Sequence, residues 1–258
     1  KKKKKFLDAV VSNLPSMLFV KDTDTRRYLL VNRKAEEVIG RSAESMKGKS
    51  DAELFPGAGQ TFEHNDLKVI TQGGTSQTEA EFERDDATRV HIRTTRVLID
   101  GPDRPNQYLL GLSEDITSMR KTEAARWRLA NYDTLTGLLN RGSILAQIEL
   151  LVEAEHRFAI LNIDLDRFKS VNDQFGHVTG DEVLKVVGAR LADLSDENTQ
   201  IARIGGDEFV CLMTGERLRE RAARCAEMII GGLRQPIKTR GITAHLGASI
   251  GVVLYPDP

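Results

Sequence analysis

The chain has 258 residues, enough for two ordinary domains, and its 40% apolar content supplies a sizeable core, which excludes wholesale disorder. Thirty-seven Lys and Arg stand against 38 Asp and Glu, a net charge of -1, so no global basic field exists to hold a nucleic-acid polymer or an anionic membrane. Two cysteines, Cys211 and Cys225, make neither a disulfide framework nor a zinc site by themselves and point to a reducing, cytoplasmic setting. The apolar runs fall far short of the roughly 18 residues of a membrane span, so no membrane contact is expected within this segment. The chain opens on a pure lysine run, Lys1 to Lys5, with no signal-peptide pattern.

From Ser16 the chain reads as short strands and turns. Met17 to Val20 predicts a strand, Lys21 to Asp24 a polar turn, and Tyr28 to Asn32 a second strand. Arg33 to Ile39 predicts a helix stopped by Gly40, and Thr61 to Thr71 an amphipathic helix ended by Gly73-Gly74. Three alternating segments follow, Thr78–Arg84, Val90–Ile99 and Gln107–Leu112, the last two separated by the turn Asp100-Gly101-Pro102-Asp103. Strands, a few short helices and then strands again make an α+β arrangement with an antiparallel sheet. The opening at Phe19–Asn32, the helix to Gly40, the helix end at Asp66, Val69 and Gly73, and the closing Glu114-Asp115-Ile116-Thr117 together resemble a PAS sensor domain over residues 6–118. That resemblance implies sensing or dimerisation without naming the ligand. A flavin-thiol photosensor is excluded because no cysteine precedes Cys211, and His64 and His91 are the histidines a haem would have to use.

Glu114 to Asn131 is a charged stretch free of Pro and Gly, and the linker it forms is read as helical over residues 119–132. It is either a short parallel coiled coil joining two domains or an amphipathic helix packed on its own domain. Trp127, the single tryptophan, is expected to serve packing.

After Asp133–Arg141 the pattern changes. Arg157–Leu165 predicts a strand whose odd positions are all apolar, while its even positions pass from Phe158 and Ile160 to Asn162 and Asp164. A carboxylate thus appears where a buried strand runs out toward solvent. Phe168–Phe175 predicts a short helix closed by Gly176, and Thr179 with Glu182 a capping box. The helix that follows carries a core stripe of Val183, Val187, Leu191 and Leu194. Two apolar strands, Gln200–Ile204 and Phe209–Met213, then flank a four-residue turn, Gly205-Gly206-Asp207-Glu208. Its glycines let a ligand approach the backbone closely, and two adjacent carboxylates at a tip are unusual for a mere turn.

These segments occur together with Asp133–Arg141, Asn162–Lys169, Val171-Asn172-Asp173, Phe175-Gly176-His177, Gly180–Leu184, Arg203–Phe209 and Ser249–Val252. In that order and spacing, residues 133–258 resemble the catalytic domain of the GGDEF family, the diguanylate cyclases, with a central, mainly antiparallel sheet flanked by helices. The resemblance implies a reaction that joins two GTP into cyclic di-GMP with loss of two pyrophosphates, each step an in-line attack of a ribose 3′-hydroxyl on an α-phosphate. It implies that Asp164 and Asp207, with the Leu165 carbonyl, bind Mg²⁺ (or Mn²⁺), and that Glu208 is a second ligand or helps deprotonate the hydroxyl. Asn172 and Asp181 match the positions that read the guanine edge. Lys169 and the backbone amides of Arg167 and Phe168 match those that bind the β- and γ-phosphates. Gly205 and Gly206 give the nucleotide close passage. Because the product is two-fold symmetric, two copies of the site have to face each other in a homodimer.

Two departures matter. Where relatives carry an inhibitory Arg-x-x-Asp pair, this chain reads Asp196-Glu197-Asn198-Thr199, so no inhibitory product site is expected. The family domain also runs some tens of residues beyond Pro258, which implies an incomplete domain. The leading expectation is a PAS-regulated diguanylate cyclase. The alternative is a non-catalytic GTP-binding module that regulates an adjacent EAL phosphodiesterase or other output domain, with a PAS-driven dimerisation scaffold as a third reading.

Overall fold

Helix α1 (Lys2–Ser12) opens the structure, a computed structural model that describes residues 2–256, and buries none of its residues. Strands β1 (Met17–Asp22) and β2 (Tyr28–Val31) form an antiparallel pair. Four helices follow: α2 (Arg33–Ile39), α3 (Ala43–Met46), α4 (Asp51–Leu54) and α5 (Gly59–Gln72). Their ends are set locally. The Asn32 side chain accepts from the Ala35 amide, Ser50 and Glu53 cap α4 reciprocally, and Gly40 takes the left-handed conformation (φ 80°) that stops α2. Strands β3 (Thr75–Glu83), β4 (Arg89–Ile99) and β5 (Tyr108–Asp115) complete an antiparallel sheet of order β2-β1-β5-β4-β3.

The inner face of this sheet is apolar at one end and charged at the other. Phe55, Phe62 and Phe82 meet edge-on beside Val90 and Ile92, whereas the next inward positions of β4 are Thr94 and Arg96. Lys21, expected in a polar turn, instead lies in β1 and is 1% exposed. Its ammonium is hydrogen-bonded to both Asp51 and Asp66, the latter at 2.6 Å, and lies 4.5 Å from the centre of the Tyr28 ring. Arg96 Nε donates to the other Asp66 oxygen at 2.6 Å, and the Tyr28 hydroxyl to Asp51 at 2.6 Å. Tertiary pairing draws Lys21 inward, because buried charges persist where each finds a partner. A cavity of about 40 Å³ adjoins Lys21, Tyr28 and Arg96, far below the ~300 Å³ of an ordinary ligand pocket. His64 lies exposed on α5, which removes it as an axial haem ligand from inside this core.

Helix α6 (Thr117–Asn131) contains the boundary between two units of the chain, residues 1–123 and 124–258, and has no buried residue. Trp127 is 59% exposed, its ring 5.4 Å from that of Tyr132, so it does not serve a core. At its far end, Asn140 Nδ2 donates to the Ala130 carbonyl and Ser143 to the Asn131 side chain.

The second unit continues with β6 (Leu139–Asn140), α7 (Arg141–Glu153), β7 (Phe158–Asp166), α8 (Phe168–Phe175) and α9 (His177–Ala192). Strands β8 (Thr199–Gly205) and β9 (Glu208–Thr214), helix α10 (Leu218–Arg234), a small hairpin of β10 (Ile237–Thr239) and β11 (Ile242–Ala244), and β12 (Gly247–Tyr255) follow. The sheet order is β12-β7-β9-β8-β6, antiparallel except for the β6–β8 pair. Odd positions of β7 (Leu161, Ile163, Leu165) pack with α8, α9 and α10 in the larger core, each worth ~1.5–3 kcal/mol of burial. On the other face Phe158 and Ile160 meet Ile144, Ile148 and Leu151 of α7. The capping box expected at Thr179 and Glu182 does not form. Helix α9 begins at His177, directly after Gly176, and Glu182 pairs with Lys185 at 2.9 Å.

Candidate active site

Period two explains where the acids come out. The cover that α7 gives the even face of β7 ends at Ile160, so Asn162 and Asp164 emerge into solvent on that face. In register, Asp164 lies opposite Glu208 of β9 on one side and Ser249 of β12 on the other. Directly opposed side chains stand on one face about 4.5–5.5 Å apart at Cβ, and like charges in such a pair repel. Among the described residues neither Asp164, Asp207 nor Glu208 has an ion-pair partner, and no three His, Cys, Asp or Glu side chains are gathered closely enough to hold a metal together. Ser249 Oγ donates to Asp166 at 2.7 Å, fixing the neighbouring acid instead.

The turn is tighter than its four-residue pattern suggests. Gly205 pairs with Glu208, leaving Gly206 and Asp207 at the tip, with Gly206 at φ 51°. The ladder is irregular between Arg203 and Gly205, a bulge of the kind that re-aims a strand end. The Leu165 amide donates to the Asp207 carbonyl at 3.2 Å, which brings the tip beside the end of β7. The Leu165 side chain itself is buried, so only its backbone carbonyl is available to a ligand.

Arg203 holds this tip. Its Nε and one terminal nitrogen donate to the Gly206 carbonyl at 3.1 and 2.9 Å, and its other nitrogen reaches both Asp133 oxygens at 3.1 and 3.3 Å. Asp133 also accepts from the Thr136 amide and hydroxyl at 2.9 and 2.7 Å. Burial pushes the Asp133 carboxyl up, but Thr136 and Arg203 outweigh it and hold the group below the usual carboxylate range. Both residues sit in motifs singled out from the sequence, yet 70 positions separate them and no local signal joins them.

Beyond Asp166 the chain turns sharply. Arg167 takes φ 65° and α8 starts at the next residue, so the amides of Arg167, Phe168 and Lys169 gather at a helix start beside the acids. Lys169 is exposed, whereas the Phe168 ring is in the core and offers only its backbone. One turn further along α8, Asn172 faces α9 at Gly180, next to the exposed Asp181. The structure therefore brings together Asp164, Asp207, Glu208 and the Leu165 backbone at one sheet end, with the α8 start following directly and the Asn172–Asp181 pair on α8 and α9. Cys211, on β9, lies apart from this set. The neighbouring Cys225 and burial push its thiol up, and its side chain is enclosed in the core.

Residues 130–258 match the family described as "Diguanylate cyclase, GGDEF domain", and residues 11–121 match the PAS fold. The cyclic di-GMP phosphodiesterase PdeR of Escherichia coli is 26% identical over 258 residues, covering 98% of this chain and 38% of the relative. The diguanylate cyclase TpbB of Pseudomonas aeruginosa is 38% identical over 133 residues, half of this chain and 31% of the relative. A solved sensory box/GGDEF family protein from Caulobacter crescentus is 38% identical, covering 49% of this chain and 84% of that one, with a TM-score of 0.45. The chain thus spans less than two fifths of the length of these two curated relatives, and their names divide between synthesis and breakdown of the same dinucleotide. With half of its length matching the family and the signature turn at the end of its central sheet, the chain belongs to the GGDEF domain family, and a PAS fold precedes that domain.

Proposed function

We propose that the protein is a PAS-regulated diguanylate cyclase that condenses two GTP into cyclic di-GMP and two pyrophosphates. The observation that carries this reading is the Asp164–Glu208 opposition next to the Asp207 tip. Two unpaired carboxylates held face to face in a sheet call for a cation. The chemistry of the donors suits Mg²⁺, with Mn²⁺ as an alternative: Asp164, Asp207 and the Leu165 carbonyl would offer hard oxygens, and water and phosphate oxygens would complete the shell. When bound, such an ion neutralises charge on the phosphates.

This chain's own groups do the rest. The Arg167 and Phe168 amides at the start of α8, with the Lys169 ammonium, receive the β- and γ-phosphates. Asn172 and Asp181 read the guanine: the amide donates to O6 and the carboxylate accepts from N1–H and N2–H₂. Exposed Gly205 and Gly206 let the nucleotide lie across the turn. Glu208, opposite Asp164, either adds a ligand or takes the proton of the attacking hydroxyl. Each copy holds one GTP, so a homodimer with its half-sites face to face is required for the two-fold product. Control then reduces to geometry, with the PAS domain at residues 6–118 and the helix through residues 119–132 setting whether half-sites meet.

A second reading, a non-catalytic GTP-binding module regulating an adjacent phosphodiesterase domain, is favoured by the alignment of nearly the whole chain with a fraction of PdeR. Incubating full-length protein with GTP and Mg²⁺, beside Asp207→Ala, and separating the products decides between them. Cyclic di-GMP from the parent alone supports the cyclase. GTP binding without product supports the module and overturns the cyclase.

A further inference from the structure

Where β7 and β12 run out toward the tip, one hydroxyl stands between two acids. Asp164 lies opposite Ser249 and Asp166 opposite Gly247, and by period two all four positions share one face. Directly opposed residues stand about 4.5–5.5 Å apart at Cβ, so the Ser249 hydroxyl has Asp164 within reach. It donates along the diagonal instead, to Asp166 Oδ1 at 2.7 Å. The position opposite Asp166 gives that carboxylate its room. A Cβ on Gly247 would lie 2.6 Å from Asp166 Oδ2 and 3.4 and 3.5 Å from its Cβ and Cγ. Gly247 is not in the left-handed region, so its conformation does not call for glycine; the carboxylate lying against it does.

We propose that Asp166 is a positioning residue for the cation site: by accepting the Ser249 hydrogen bond it keeps that hydroxyl away from Asp164, whose oxygens stay free for a divalent cation. A hydroxyl has one proton to donate, and held by Asp166 it offers its other neighbours only lone pairs. Released, it donates to the acid directly across the ladder. The positive end of the O–H dipole then points at the oxygens that face the ion, and weakens their hold on it. This inference rests on the reading above that Asp164 binds the cation. It adds a residue outside the ligand set that decides how well Asp164 does so.

The test titrates Mn²⁺ into the full chain without nucleotide and follows the free ion by electron paramagnetic resonance, with melting in EDTA as the check on folding. Asp166→Ala is expected to weaken Mn²⁺ binding about tenfold, the scale on which loss of a partner behind a metal ligand acts. Adding Ser249→Ala to that variant is expected to restore most of the loss, because the competing hydroxyl is gone. A loss caused by the missing charge, or by damage to the strand end, is not restored in this way. Ser249→Ala alone is expected to bind Mn²⁺ as the parent does. Gly247→Ala reaches the same carboxylate from β12 and is expected to weaken binding, with the same recovery on Ser249→Ala. Parental affinity in Asp166→Ala, a loss that Ser249→Ala does not relieve, or an equal loss in Ser249→Ala alone overturns the inference and leaves the cation reading standing. If neither Asp166→Ala nor Gly247→Ala folds, the contact serves the fold and the inference falls. If Asp164→Asn binds Mn²⁺ as tightly as the parent, the cation reading falls and the inference with it.

Discussion

Arg203 and Asp133, 70 residues apart, are joined by a guanidinium that also binds the Gly206 carbonyl through two nitrogens. One planar side chain therefore ties the segment after α6 to the tip that carries Asp207. Lysine has the charge but not the fork, so Arg203→Lys is expected to keep the fold and lose the tip geometry, seen as a fall in Mg²⁺-dependent GTP affinity.

Asp133→Asn is expected to destabilise the second unit by about 1–3 kcal/mol, the usual cost of breaking a charge-assisted network. Because the folded-state carboxyl is held below its ordinary value, its contribution is full above the unfolded pKa of ~3.9. That contribution disappears as pH falls through the lower folded value. Denaturant titrations of parent and variant should differ at pH 6 and converge in acid. A gap that persists at the lowest pH would show that Asp133 acts by packing alone.

Opposed across β7 and β9, Asp164 and Glu208 set a further expectation. In EDTA the repulsion is unrelieved, so Asp164→Asn or Glu208→Gln should be neutral or stabilising by about 0.2–1 kcal/mol. Added Mg²⁺ should raise the melting temperature of the parent and raise that of Asp164→Asn less. Equal Mg²⁺ responses in all three proteins would remove the cation from this site.

What was legible in the sequence follows from the range of the forces involved. Gly40, Gly73 and Gly176 marked helix ends correctly because a helix stop is a matter of a few residues. The step from Ile160 to Asn162 and Asp164 showed in advance where the β7 face leaves its cover, since period two is also local. Lys21 was misread because its partners, Asp51 and Asp66, stand 30 and 45 residues away, and only the folded sheet brings them in. Thr179 had good capping chemistry, but the turn at Gly176 starts α9 before the side chain can be used. The close approach of Asn172 to Gly180 is illegible for a related reason: glycine in a helix reads as a weakness until the Asn172 side chain is seen lying against the place its Cβ would take.

Lys21 itself carries an expectation of its own. Lys21→Met leaves Asp66 with Arg96 and leaves Asp51 with the Tyr28 hydroxyl but no cation, and loss of one partner from a buried charge network costs about 3–5 kcal/mol. In the parent, burial already pushes Asp51 up, with Lys21 offsetting part of that rise. An acid whose folded pKa is raised loses stability as pH climbs from its unfolded value toward the folded one, and removing Lys21 widens that window. Urea unfolding of the variant should therefore show a weaker first unit at pH 8 than at pH 5, by more than in the parent. A pH-independent loss would mean that the lysine stem, not its charge, supports the core.

At the opening of β8, Asp196 and Thr199 close a tight turn, each amide donating to the other's carbonyl at 3.0 and 3.3 Å. The Asn198 amide donates to Asp196 Oδ1 at 2.8 Å and, as the largest influence, holds that carboxyl below its usual range, so the residue is an anion at neutral pH. Thr199 is buried and faces Arg221. An anionic dinucleotide approaching this turn meets a carboxylate where binding would need a cation, and that carboxylate is fixed in place by its own turn. Cyclic di-GMP added to the active enzyme is therefore expected to compete with GTP at the half-site and to exert no non-competitive inhibition. Initial rates measured over a matrix of GTP and product concentrations distinguish the two patterns, because saturating GTP restores the full rate only in the competitive case. Asp196→Ala is expected to leave the pattern unchanged. Non-competitive inhibition that disappears in Asp196→Ala would place a product site on this turn after all, one that depends on the side chain at position 196.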